Sequence, residues 1–123
     1  MDKQKLEYFR NLLLEQRRQA IEDLREDKAT ALEGNDGVED LGEMSELDLN
    51  RSTALDLAAR QTQLIGEIDE ALQRIEDGTY GQCFSCDKPL DEERLKAVPT
   101  AKYDAACQAA IEEVQGSNNK PTL

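Results

Sequence analysis

The chain has 123 residues, of which 38% are hydrophobic, 4% aromatic and 34% charged, with no histidine and a net charge of −12. That length suits one domain or one small head on an extended element, and the balance fits long helices better than a compact globule with a large core. The missing histidine removes the commonest general base and metal ligand, and the acid excess excludes independent DNA or RNA binding, because a phosphate backbone must be met by clustered Lys and Arg.

No apolar run approaches membrane-spanning length, and the opening MDKQKLEYFR lacks the apolar core of a signal peptide. A cytoplasmic protein with no membrane partner is expected.

From Asp2 to about Glu33 the sequence has no Gly or Pro, and Leu6, Phe9, Leu13, Ala20, Leu24 and Ala31 recur at helical spacings. A second run from about Ser45 to Asp77 repeats the pattern with Leu47, Ala54, Leu57, Leu64, Ile68, Leu72 and Ile75, and Gly78 ends it. Two helices with one narrow apolar face each bury those faces most simply against each other. The expected object is a long antiparallel two-helix coiled coil over residues 1–78, roughly 45 Å long for about 30 residues per helix. Gln16, Arg17 and Gln61 dilute the seam, which points to modest stability or a register constraint. A monomer is expected, with dimerisation through the seam as the alternative.

Between the helices lies GNDGVEDLGEMSELDL, residues 34–49, in which three glycines permit a reversal and no Lys or Arg occurs between Lys28 and Arg51. Asp40 or Ser45 is placed to cap the second helix. The acids read either as a solvated turn or as a negative tip carried to a distant positive or metal-containing site.

The three cysteines are odd in number and accompany no export signal, so metal binding or free thiols are expected rather than a disulfide framework. Cys83 and Cys86 form a Cys-x-x-Cys pair of the kind that points two thiolates at one ion. If Cys107 ends a second pair, its partner three residues earlier is Asp104, and a carboxylate can complete a zinc shell, though less softly than sulfur. Three readings stay open at this point. The head holds zinc through Cys83, Cys86, Cys107 and Asp104, or through three thiolates and water. It is metal-free and packed around Phe84, Leu90, Leu95, Val98 and Tyr103. Or it is a thiol redox switch, although no thioredoxin-like pattern surrounds it. No general base accompanies an open metal position, so no enzyme is expected. Pro89 and Pro99 suggest an irregular connection before helical spacing resumes from Ala101 to about Gln115.

The segment IDEALQRIEDGTYGQCFSCDKPLDEERLKAVPTAKYDAAC resembles the carboxy-terminal signature of the DksA/TraR family, in which a "RIEDGTYG" phrase runs into Cys-x-x-Cys, then "RLxAxPxA", then a second cysteine pair. The resemblance implies a bacterial transcription regulator that binds RNA polymerase directly, inserts its coiled-coil tip through the secondary channel, and modulates initiation without touching DNA. It implies a zinc-finger-like head and final helix over 79–115, a flexible tail over 116–123, and one zinc per chain. The amino-terminal segment of longer relatives is expected to be missing.

Ungapped counting back from Cys83 places Asp40, Glu43 and Ser45 on the family's Asp-x-x-Asp-x-Ala tip motif, so the second acid is one methylene longer and the alanine is a hydroxyl residue. Arg60 falls on a basic position that grips the polymerase rim. The basic residues that hold guanosine tetraphosphate in the stringent response fall on Glu67, Val98 and Gln108, none of which is positive. Loss of that nucleotide site is expected. Two other functions are compatible with the residues: a zinc- or thiol-redox-responsive adaptor working through its head, and a structural hairpin that binds another helical protein.

Overall fold

The structure, a computed structural model, describes residues 1–32 and 41–118. It is mainly α, with α1 (Lys3–Ala31), α2 (Leu41–Asp77), α3 (Glu92–Ala97) and α4 (Ala105–Asn118). The mainly helical fold with two long helices and a cysteine-bearing head is as expected. Its contacts divide it into two compact units, one of Met1–Leu13 with Glu70–Leu123 and one of Leu14–Asp69.

Within residues 14–69 the two helix segments run antiparallel. Arg17 on α1 donates through Nε to Asp69 Oδ1 at 2.8 Å, whereas Asp27 and Thr30, further along α1, line a cleft with Leu47, Asn50 and Ala54, further back on α2. The most buried positions are Ala20, Ala31, Ala54, Ala58 and Ile68. Leu24, Leu47 and Leu64 are only half-buried, and Leu57, expected in the seam, is exposed. The cause is geometric. Ala54 and Ala58 lie one turn apart and take the inward line, so Leu57 is rotated off it by the 3.6-residue period. Gln16 and Gln61 are half-buried, as their dilution of the seam implies, and Gln16 Oε1 is buried without a hydrogen-bond partner.

The second helix begins at Leu41, four residues before the expected start, which places Ser45 inside the helix rather than at its cap. Asp40, the other candidate cap, lies outside the described residues.

In the other unit, Asp2 Oδ1 accepts the Lys5 N–H at 2.8 Å and starts α1. Phe9, Leu13, Ala71, Tyr80, Cys83, Leu90, Leu95 and Ala101 form its core. The Phe9 and Tyr80 rings meet at 5.7 Å, and Tyr80 donates its hydroxyl to the Pro99 carbonyl at 2.7 Å. Burial pushes that hydroxyl up to about 12, with the Arg74 charge opposing. Helix α2 stops as its sequence dictates: Gly78 takes φ 79°, Thr79 N–H bonds to the Arg74 carbonyl at 2.9 Å, and Gly78 N–H to that of Ile75 at 3.3 Å. That pair of bonds is a Schellman motif, which needs a left-handed residue at this place.

The connection after the first cysteine pair is more regular than expected. Asp91 Oδ1 accepts from Glu93 N–H at 3.3 Å and caps α3, whose Leu95 is fully buried. The signal was present in DEER, an Asp cap followed by two acids in the first turn. The packing set proposed for a metal-free head is corrected in part: Leu90 and Leu95 are buried, but Phe84 is 71% exposed and Val98 is also exposed. Helix α4 starts at Ala105, after the expected Ala101, because Ala101–Asp104 form the connection that leads into it.

Candidate metal centre

A short hairpin presents the first cysteine pair. Leu90 N–H bonds to the Gly81 carbonyl at 2.7 Å and Cys83 N–H to that of Lys88 at 2.8 Å, flanking an antiparallel bridge between Gln82 and Pro89. At its end Asp87 N–H reaches back to the Cys83 carbonyl at 3.0 Å, and Asp87 itself takes φ 62°. A short polar side chain tolerates that left-handed conformation better than most, though glycine would adopt it without strain.

The other half of the site is brought in by the chain before α4. Phe84 N–H donates to the Lys102 carbonyl at 2.7 Å and Arg94 Nε to that of Tyr103 at 3.1 Å, which fixes the approach to Asp104. Asp104 stands one residue before α4. Its Oδ1 accepts the Cys107 N–H at 2.7 Å and its carbonyl accepts the Gln108 N–H at 2.8 Å, the arrangement of a helix N-cap.

The donor atoms of Cys83, Cys86, Asp104 and Cys107 all lie within 4.8 Å of one another. A tetrahedral zinc with Zn–S bonds of about 2.3 Å needs donors roughly 3.8 Å apart, so the spread fits one ion. Three sulfurs and one carboxylate oxygen are also a chemically suitable set for zinc. All three cysteines are free thiols.

The electrostatics of the cluster are unequal. For Cys83, burial works to raise the thiol, but N–H groups of Asp104, Cys86 and Ser85 together outweigh it and bring it down to about 7. Cys86 donates its S–H to Asp104 Oδ2 at 3.1 Å, and that bond holds its thiol above the usual range. The Asp104 carboxylate, followed by burial, pushes Cys107 up to about 12. Asp104 is held below the usual carboxylate range, first by the Cys107 N–H and then by the Cys86 thiol, with Lys88 adding a favourable charge. Asp104 thus orders the cluster as a hydrogen-bond acceptor, taking the Cys107 N–H on one oxygen and the Cys86 S–H on the other.

The remaining residues singled out in the sequence are dispersed. Asp40 is outside the described residues, and Glu43 falls on the first turns of α2, where only the backbone is described. Ser45 is exposed on α2. Arg60 is exposed on α2 and makes no ion pair among the described residues. Glu67 accepts from Gln63 Nε2 at 3.3 Å, and Gln108 donates to Glu112 Oε1 at 3.1 Å. No helix among the described residues is long and apolar enough to cross a membrane.

Sequence reasoning missed the helix-capping bond of Asp104, although an Asp directly ahead of an Ala-Ala-Cys helix start carries that signal. It also missed the N–H groups aimed at Cys83, which depend on the hairpin's three-dimensional closure.

Comparison with known proteins gives consistent relationships. Residues 78–113 match the family model of the prokaryotic dksA/traR C4-type zinc finger. The chain is 33% identical over 108 residues to the RNA polymerase-binding transcription factor DksA of Caulobacter vibrioides, covering 88% of this chain and 76% of that protein. Among solved structures, transcription factor DksA2 from Pseudomonas aeruginosa matches with a TM-score of 0.80 and 27% identity, over 93% of this chain and 88% of that one. The RNA polymerase binding protein and transcriptional regulator Dks from Chlamydia trachomatis matches with a TM-score of 0.57 and 19% identity over 94% and 95% of the two chains, a likeness of fold.

Proposed function

This chain belongs to the DksA/TraR family, and on that footing we propose that it is a bacterial transcription regulator that binds RNA polymerase directly and acts through its acidic hairpin end. The observation that carries the reading is the 33% identity, across 88% of this chain, to a relative named as an RNA polymerase-binding transcription factor. The charge distribution supports it. Residues 14–69 hold fifteen acids against six basic residues, while the rest of the chain holds twelve against nine. A negative hairpin end suits a site beside a catalytic magnesium and repels nucleic acid.

In this reading Asp40 and Glu43 act as carboxylate effectors beside the polymerase active centre, with Ser45 adjoining them on α2, after entry through the secondary channel. Arg60 grips the channel rim from an exposed position that leaves its guanidinium available for a carboxylate. Glu67, Val98 and Gln108 offer no positive charge to a polyphosphate, so the response to guanosine tetraphosphate through these positions is lost. The chain works as a monomer and does no catalysis of its own.

Zinc, held by Cys83, Cys86, Asp104 and Cys107, would supply a structural crosslink between the cysteine hairpin and α4. The protein's own part is already visible: N–H groups aimed at Cys83 stabilise its thiolate, and the Asp104 carboxylate is oriented at both ends.

The test is initiation from defined promoters with purified polymerase. Added protein should change open-complex lifetime or transcript yield, and the doubly charge-reversed Asp40→Lys, Glu43→Lys should bind polymerase yet lose the effect. Unchanged activity in that variant would sink the tip mechanism. Strong potentiation by guanosine tetraphosphate that disappears on Glu67→Ala would overturn the lost nucleotide site.

A further inference from the structure

We propose that Asp104 divides its two carboxylate oxygens between two tasks, Oδ2 as the fourth metal ligand and Oδ1 as the cap of α4, so that metal occupancy is read directly by the first turn of that helix. The proposal rests on the zinc reading above and assigns it a structural consequence that a four-cysteine site would not have. Oδ1 is engaged with the Cys107 N–H at 2.7 Å, whereas Oδ2 faces the thiols and meets Cys86 Sγ at 3.1 Å. A third bond ties the same residue to the opposite half of the site: its own N–H donates to Cys83 Sγ at 3.4 Å.

A cysteine at this position has one donor atom, which must serve both the ion and the helix N–H. A carboxylate separates the tasks. One oxygen accepts from the backbone while the other binds the cation, and each bond orients the group for the other, as outer-shell hydrogen bonds orient metal ligands generally. Cys107 closes the loop. It supplies a thiolate to the ion and the N–H that fixes the carboxylate, so ligand and positioning bond lie in one residue. A bound metal would be held by the Cys86 thiolate and by Oδ2 in place of the S–H bond between them, the thiol proton passing to solvent. The Oδ1 bond is kept. Helix α4 is therefore held at its N-terminus in both states and more tightly in the loaded one.

The two tasks can be pulled apart because asparagine caps helices as well as aspartate does but brings no anionic oxygen to a metal. Cobalt(II) alone serves as the spectroscopic probe, with amide hydrogen exchange at Cys107 as the second readout. The natural chain should bind one cobalt per chain with the charge-transfer bands of three thiolates, and loading should slow Cys107 exchange at least about tenfold. Asp104→Asn should weaken cobalt binding at least about tenfold while keeping Cys107 protection in the metal-free protein. Asp104→Cys should add a fourth thiolate band. Asp104→Ala should lose both affinity and protection. Cobalt binding by Asp104→Asn with natural affinity and spectrum would overturn the ligand task while leaving the metal reading intact. Metal-free Asp104→Asn exchanging at Cys107 as fast as Asp104→Ala would overturn the cap. A natural chain that takes up no cobalt would instead defeat the zinc reading itself.

Discussion

The two compact units are held together by different means. In residues 14–69 the most buried side chains are four alanines and one isoleucine, and Leu32, Leu49, Leu55 and Leu57 are exposed. In the unit of residues 1–13 and 70–118, Phe9, Leu13, Tyr80, Leu90 and Leu95 pack around one another, and a polar cluster of three thiols and a carboxylate sits beside them. Small residues allow helices to approach closely but bury little apolar area, so the hairpin gains less from the hydrophobic effect than the head does. Its ion pairs, such as Arg18 with Glu15 and Glu22, lie in the open and contribute little. The lesson is a division of labour. The acidic residues are concentrated in residues 14–69, and the larger buried side chains in the unit that carries the cysteines.

Several changes would break or sharpen that contrast. The largest effect is expected from the metal. Chelation, or Cys83→Ser, should abolish metal binding and lower the melting temperature of the head more than any single core substitution, leaving helicity in residues 14–69 nearly intact. Amide exchange resolves the two regions. Next, Leu95→Ala should cost about 2–5 kcal/mol in denaturant titration, because Leu95 is fully buried. By contrast, Ala54→Gly in the hairpin should cost only about 1 kcal/mol, the helix-propensity difference.

Of similar size, and opposite in sign, is Gln16→Leu. Removing a buried acceptor that has no partner should stabilise the hairpin by about 1 kcal/mol, seen as slower exchange in the middle of α1.

The acid dependence of metal binding has a definite sign. Cys107 is raised to about 12 and Cys86 is raised as well, so both carry protons at neutral pH, while Cys83, brought down to about 7, is half ionised. Metal uptake at pH 7 should therefore release about two to three protons, measurable with a pH indicator, and affinity should fall as the solution is acidified. In the metal-free head the raised Cys107 contributes stability that is fully present below the ordinary thiol pKa and lost as pH rises through about 12. The lowered Cys83 contributes the reverse, present above the ordinary thiol value and lost as pH falls through about 7.

Much of this organisation was legible in the residues themselves. Absence of Gly and Pro with three-four spacing specified α1, and Gly78 specified the end of α2, because local geometry alone decides both. The Cys83, Cys86, Asp104, Cys107 cluster was legible through the spacing of its two halves, which a tetrahedral ion requires. What escaped was set by packing in three dimensions. Periodicity does not say whether Leu57 or Ala58 takes the inward line, since at three and four residues from Ala54 they fall roughly 60° to one side of it and about 40° to the other. Nor does composition reveal that Phe84 points outward, because burial there depends on where the hairpin at Cys83 meets the chain before α4. The short helix α3 was overlooked because its prolines flank it rather than interrupt it.

The central claim, that the acidic hairpin end reaches the polymerase active centre, is tested most directly by localised cleavage. With iron(II) replacing the catalytic magnesium of bacterial RNA polymerase, hydroxyl radicals generated at the active centre should cut the bound chain within residues 33–49 and nowhere else. Cleavage confined to the head, or a chain left intact while stably bound, would contradict the account.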